Sequence, residues 1–256
     1  MIEFAKEKDK EQIKSLWCKT FGDSETAVEI FLEKYSDCIL LFKEEKVLGM
    51  LSMLPVTLNG KKGRYIYAVA TDEKARGKGI STKLLEFANE FIKKSGEDFS
   101  VLVPAEKSLF TFYQKRGYTT LSCVRKQCFS GKNKDMEVKK ITAECYFEKR
   151  EAFFNKNLIK WDISELLYVE KMYGECFFEL VGKNGTAIAL CSYYDGKLEV
   201  KELLTGDLKE DICAGALNEY FGTKTCTVAI PNKSGEPYAM VYPPEYKNCI
   251  FNVALD

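Results

Sequence analysis

The chain has 256 residues, 46 % hydrophobic and 30 % charged, which suffices for one large domain or two smaller ones with a sizeable core. Lysine plus arginine and aspartate plus glutamate both number 38, so no overall charge draws the chain to nucleic acid or an anionic membrane, and any anion site has to be local. There are ten cysteines, no CxxC pair and no histidine. That spacing argues against a metal site and a disulfide framework and fits buried reduced thiols in a cytoplasmic protein. Without histidine, proton transfer falls to a carboxylate, a tyrosine, a cysteine or water.

The N-terminus MIEFAKEKDKEQ is charged and lacks the apolar core of a signal peptide, and no apolar run reaches membrane-spanning length. IEFAK reads as a short strand, DKEQIKSLWCKTF as a helix by the spacing of Ile13, Leu16 and Trp17, and SETAVEIFLEKY as a second helix capped by Ser24. CILLFK and KVLGMLSMLPVTL read as strands, NGKKG as a hairpin turn and RYIYAVAT as the next strand. A helix over 79–94 carries Ile80, Leu84, Ala88 and Phe91 on one face. DFSVLVPA is a strand, SLFTFYQKR a short helix ended by Gly117, and YTTLSCVRKQCF a strand.

The polar, aperiodic run that follows predicts a linker over 131–140 between a first domain, 1–130, and a second, 141–256. The second half opens with two helical patterns and continues through three strands, a helix and a strand. The same order of elements runs from CILLFK to FSVLVPA in the first half, so a weak structural repeat is expected. The repeat lacks one feature: GDLKE stands where the first half has KARGKGIS.

KARGKGIS puts two glycines and three cations at a strand-to-helix junction. A phosphate-binding P-loop needs GxxxxGK[ST], but here Gly77 and Lys78 are followed by Gly79. A dinucleotide-binding turn needs a third glycine where Thr82 stands, and six residues, TDEKAR, separate the strand from Gly77, too many for that turn. What remains is an anion on the free N–H groups of a helix start, with Arg76 and Lys78 adding charge. The plainer alternative is a helix turn with solvated cations.

RGKGIS fits the signature [RQ]-x-x-G-x-[GA] of the GNAT acyltransferases as Arg76-x-x-Gly79-x-Ser81, with serine for glycine or alanine at the last position. YAVATDEKARGKGISTKLL resembles that superfamily from its fourth strand into its third helix, and LFTFYQKRGY resembles its second landmark, FYxxxGF, with Tyr118 for phenylalanine. The order β-α-α-β-β-β-α-β-α-β over residues 1–129 is similar too. The resemblance implies an α/β (α+β) GNAT fold, a central mixed and mostly antiparallel sheet flanked by helices, here followed by a second, degenerate GNAT-like domain.

The resemblance further implies acetyl-coenzyme A as cosubstrate, with its pyrophosphate on Arg76, Gly77, Lys78, Gly79, Ile80, Ser81 and Thr82. The pantetheine arm would pair with the fourth strand at Val69 and Thr71, and an N–H near Val69 or Ala70 would polarise the thioester carbonyl. The acceptor would be a small-molecule or peptide amine. Tyr113 stands where the family places an acid for the leaving thiolate, although packing beside Phe110 and Phe112 explains it as well. The family's asparagine seven residues earlier is Glu106 here.

The fourth strand has no carboxylate to serve as base, which leaves Asp23, Glu25 and Glu29 near the second helix as weak candidates. The VAT strand and the extra C-terminal domain also resemble multidomain acetyltransferases of the enhanced-intracellular-survival type, whose terminal carboxylate enters the active site. That resemblance makes Asp256 a candidate, while a tail CIFNVALD that only completes a sheet is the plainer reading. A non-catalytic acyl-coenzyme A-binding or protein-interaction module is the alternative function.

Overall fold

The structure, a computed structural model, describes residues 1–153, 158–231, 234–247 and 249–251. The chain divides into two compact units: residues 1–119 with 239–247, and residues 120–238 with 248–256.

In the first unit, strands β1 (Ile2–Phe4), β2 (Ile39–Lys43), β3 (Val47–Leu58) and β4 (Lys61–Thr71) pair antiparallel in that order. Helices α1 (Lys10–Phe21) and α2 (Glu25–Tyr35) lie between β1 and β2, and the Ser24 hydroxyl accepts from the Ala27 N–H as the cap anticipated for α2. Helix α3 (Ile80–Lys94) then carries the chain to β5 (Phe99–Leu102), which runs parallel to β4. A parallel neighbour demands such a crossover, since no tight turn joins parallel strands. Ile80, Leu84, Leu85, Ala88 and Ile92 of α3 bury one stripe against Leu40, Leu51, Met53 and Ile66 of the sheet. Gly49 makes that approach possible, because a Cβ there would lie 2.5 Å from the Ile80 side chain. Helix α4 (Lys107–Gln114) follows β5.

The expected last strand of this domain departs from the sequence reading. Residues 119–130 do form a strand, β6 (Thr119–Ser130), but all except Thr119 belong to the second unit. The edge of β5 is taken instead by Met240–Tyr242, the end of the C-terminal strand β12 (Glu236–Tyr242), with Met240 opposite Leu102. Ala239, Met240 and Val241 are completely buried, as a strand packed on both faces requires.

The second unit begins its sheet with β7 (Glu137–Lys140), which pairs with β8 (Phe177–Gly182). The aperiodic run expected as a linker is therefore strand over its last four residues, held by Met136 and Val138 against the core. Two helices, α5 (Ala143–Phe153) and α6 (Ile163–Tyr173), precede β8. The meander continues through β9 (Gly185–Tyr194) and β10 (Lys197–Leu204), α7 (Glu210–Phe221) crosses over, and β11 (Thr225–Pro231) lies parallel to β10. Strand β6 pairs antiparallel with β11, from Ser130 opposite Thr225 to Val124 opposite Pro231. The run β8-β9-β10-α7-β11 thus repeats β2-β3-β4-α3-β5 in order and in strand direction.

Cys176, Cys191, Cys213 and Cys226 are buried free thiols in this unit, and burial pushes all four above the usual thiol range. No described helix is long and apolar enough to cross a membrane.

One buried charge ties the N-terminal strand down. The Asp9 carboxylate, 2 % exposed, accepts from Lys43 Nζ at 2.7 Å and from the Lys6 N–H at 3.0 Å. Burial works to raise its pKa, but the two donors outweigh burial and hold it below the usual aspartate range. The stability this supplies is complete above the unfolded pKa of about 4 and is lost as pH falls through the lower folded value. Asp9→Asn is expected to cost about 1–3 kcal/mol at pH 7, the range for a charged hydrogen bond, and to flatten the acid limb of the stability curve. Chemical denaturation at pH 7 and pH 3 reads both; equal loss at both pH values would contradict it.

Candidate active site

Strand β4 changes character halfway along. Its parallel ladder with β5 runs from Gly63 opposite Phe99 to Ile66 opposite Leu102 and ends there. On the other edge, Tyr67 faces Ser52 and Ala70 faces Met50, so Ala68 and Val69 together span the single residue Leu51. This is a β-bulge, and Ala68 adopts φ +49 to make it. A left-handed alanine costs roughly 1–2 kcal/mol, a cost met most often beside functional sites. Val69, Ala70 and Thr71, all candidates from the sequence, lie beyond the end of the ladder.

The chain then turns tightly. The Asp72 side chain accepts from the Lys74 N–H at 3.0 Å, and the Asp72 N–H reaches the Leu48 carbonyl at 2.9 Å. Ala75 and Ile80 are buried in the core, while Arg76, Gly77, Lys78 and Gly79 between them are exposed. Gly77 and Gly79 have φ +80 and +75, and a Cβ on either would meet nothing within 4 Å. Their glycine requirement therefore comes from backbone conformation. Gly79 caps α3 with no side-chain bond to the free N–H groups, and the first turn holds no acid. The first intrahelical bond is Lys83 N–H to the Gly79 carbonyl at 3.0 Å, which leaves the N–H groups of the preceding residues aimed outward. Thr71 and Ser81 join their hydroxyls at 2.8 Å, pinning the end of β4 to this turn.

Tyr113, on α4, is 6 % exposed and packs edge-on against Phe112 and Tyr118. Burial pushes its phenol up to about 12. Its hydroxyl makes no hydrogen bond among the described residues, in contrast to Tyr118, whose hydroxyl meets Ser100 at 2.9 Å and Asn89 at 3.2 Å. Gly117 takes φ +84, and a Cβ there would sit 3.0 Å from the Tyr242 ring, so both conformation and packing demand glycine in KRGY. Glu106 is the residue before α4 and makes no capping bond.

The carboxylates considered as bases are engaged elsewhere. Asp23 accepts from Trp17 Nε1 at 2.7 Å, and Glu25 and Glu29 lie 3.7 Å and 2.9 Å from Lys14 Nζ. Phe31 and Tyr35 are buried in an aromatic cluster with buried Trp17 and half-buried Tyr67, which is core packing. Asp256 lies outside the described residues. Among the described residues no group of His, Cys, Asp or Glu is arranged to hold a metal ion.

The second unit repeats the bulge but not the glycine turn. The ladder of β10 with β11 ends at Val200, where a register shift places Glu202 opposite Leu190. Glu202 is fully buried and accepts from Tyr146 at 2.6 Å and from Arg150 at 2.8 Å and 3.1 Å, so the strand at this point is occupied by the unit's own side chains. Helix α7 begins with Glu210 and Asp211 in its first turn, charges that repel an anion where α3 has none.

A bulged strand that runs on past the end of its parallel neighbour and leads through a glycine turn into a helix is the feature that stands out in the first unit. Residues 1–121, just under half of the chain, match the family model of the acetyltransferase (GNAT) domain. Solved structures extend the likeness of fold to nearly the whole chain. A GCN5-related N-acetyltransferase from Kribbella flavida is 18 % identical, with 94 % of this chain and 71 % of that one covered at a TM-score of 0.65. Another from Sphaerobacter thermophilus is 12 % identical, covering 94 % and 93 % at 0.62. Eis1 from Mycobacterium abscessus is 11 % identical, covering 93 % of this chain and 66 % of its own at 0.62. A search of curated proteins finds no match.

Two features escaped sequence reasoning. The Ala68 bulge has no glycine to announce it. Arg116 bonds to Thr82 across 34 residues, and only its place in FYQKRGY marked the neighbourhood.

Proposed function

We propose that the chain transfers an acetyl group from acetyl-coenzyme A to the amine of a small molecule or peptide. The observation that carries this is the exposed Gly77–Gly79 turn opening an acid-free helix start after β4 has run on, unpaired with β5, past Ile66. A pyrophosphate fits that turn, with Arg76 and Lys78 beside it and N–H groups from Ile80, Ser81 and Thr82. The pantetheine arm then adds along the free edge of β4 at Val69 and Thr71.

In the reaction the amine nitrogen attacks the thioester carbon, forming C–N, and a backbone N–H near Val69 or Ala70 holds the developing oxyanion. Collapse breaks C–S and releases the thiolate. The proton the amine loses goes to solvent, and the thiolate takes one back, so amide and free thiol are the products. Tyr113 donates to the sulfur. With its phenol near 12, full proton transfer to a thiolate of pKa about 8.5 is uphill by roughly 5 kcal/mol, so a hydrogen bond to sulfur is its main contribution.

A binding module without turnover is the second reading, favoured by one observation: β4 carries no carboxylate, and the nearby acids Asp23, Glu25 and Glu29 are engaged. Free-thiol release from acetyl-coenzyme A across a panel of amines separates the two. Amine-dependent release is expected; saturable binding with no release above the background rate would establish the module.

A further inference from the structure

Helix α4 has eight residues, and Tyr113 is its only fully buried side chain. A helix that short is not stable alone and takes its position from what grips it. Arg116, three residues after Tyr113, supplies that grip. Its Nε donates to Thr82 Oγ1 at 3.0 Å, and a terminal nitrogen donates to the same oxygen. The other terminal nitrogen donates to the Phe112 carbonyl at 2.5 Å, and the backbone N–H of Arg116 reaches the Tyr113 carbonyl at 2.9 Å. The guanidinium carbon stacks 3.4 Å from the centroid of the Phe112 ring. One side chain therefore grips Phe112, the residue before the phenol, by carbonyl and ring and, by the same guanidinium, the first turn of the helix that opens at Gly79.

We propose that Arg116 is a positioning residue that locks the Tyr113 helix to the anion-binding turn, so that a donor seated at Gly77–Gly79 finds the phenol already aligned with its sulfur. The proposal rests on Tyr113 acting at the sulfur as set out above. Only a planar fork bonds twice to one hydroxyl and once to a carbonyl behind it, so neither lysine nor glutamine replaces it. Partial burial disfavours the arginine's charge and holds it below the usual guanidinium range. Misplacing a reacting group by about 1 Å costs up to ~10²-fold in rate, which sets the scale expected for losing the lock.

The test is a kinetic cycle on the full chain, read as free-thiol release at saturating acetyl-coenzyme A with and without amine, alongside the Kd for coenzyme A. Arg116→Ala and Arg116→Gln are expected to lower turnover roughly 10- to 100-fold while changing Kd less than about 3-fold. In a Tyr113→Phe background either change is expected to have less than about a 3-fold further effect, because the residue acts through the phenol. Hydrogen exchange separates a lost lock, which exposes residues 107–114 alone, from general unfolding of the first unit. Wild-type turnover by Tyr113→Phe overturns the reading of Tyr113 and this inference with it. Slow turnover by Tyr113→Phe with unchanged Arg116→Ala, with multiplicative effects in the double variant, or with protection lost throughout the unit overturns the inference alone.

Discussion

Gly79→Val is expected to abolish binding of acetyl-coenzyme A, with no saturable signal up to millimolar ligand. Gly79 sits at φ +75, where a β-branched residue is a true outlier. Its Cβ meets no neighbour, so the damage is conformational: the turn swings out of the left-handed region and the N–H groups of the α3 start no longer converge. The strain itself is about 1–2 kcal/mol, small against the stability of most domains, so the variant is expected to fold. Arg76→Ala is expected to weaken binding by about 1–3 kcal/mol, one charge-assisted contact among several. Titration calorimetry reads both, with circular dichroism as the check on folding. A Gly79→Val variant binding within threefold of wild type would remove the turn from the donor site.

Tyr113→Phe is expected to lower kcat roughly 10²–10³-fold with little change in affinity for the donor, the range for losing one hydrogen-bond donor to charge that develops in the transition state. The ring stays, so contacts with Phe112 and Tyr118 persist. The pH profile adds a second reading. Only the neutral phenol donates, and it ionises near 12. Its contribution is present below that value and lost as pH rises through it, so kcat shows no fall assignable to Tyr113 between neutral pH and about pH 10. If Tyr113 only packs, Tyr113→Phe leaves kcat within about threefold of wild type.

Local signals were legible where side-chain pattern and backbone requirement coincide. The 3.6-residue stripe of α3, the Ser24 cap and the Gly117 stop all announce themselves in sequence. The partner of a strand does not. β6 runs twelve residues and β12 seven, and nothing in either sequence says that β5 takes β12 while β11 takes β6. β7 was hidden because only Met136 and Val138 are apolar in a charged run, too few to show a period of two. At the site, the glycine turn was readable because positive φ leaves a residue-type mark. The bulge was not, since Ala68 accepts the strain without one. The Arg116–Thr82 bond joins two motifs that are visible separately and carry no sign of each other.

The repeat was readable only as an order of elements. Its physical content lies in two places that order does not reach: the bulge at Glu202, filled by Arg150 and Tyr146, and the acids Glu210 and Asp211 at the start of α7. Both favour the first unit alone as the home of an anionic donor.

Titration of the full chain with acetyl-coenzyme A tests the central claim most directly. The expected result is a single saturable site per chain, lost in Gly79→Val and kept in Tyr113→Phe. No binding at millimolar ligand, or two sites per chain, would contradict it.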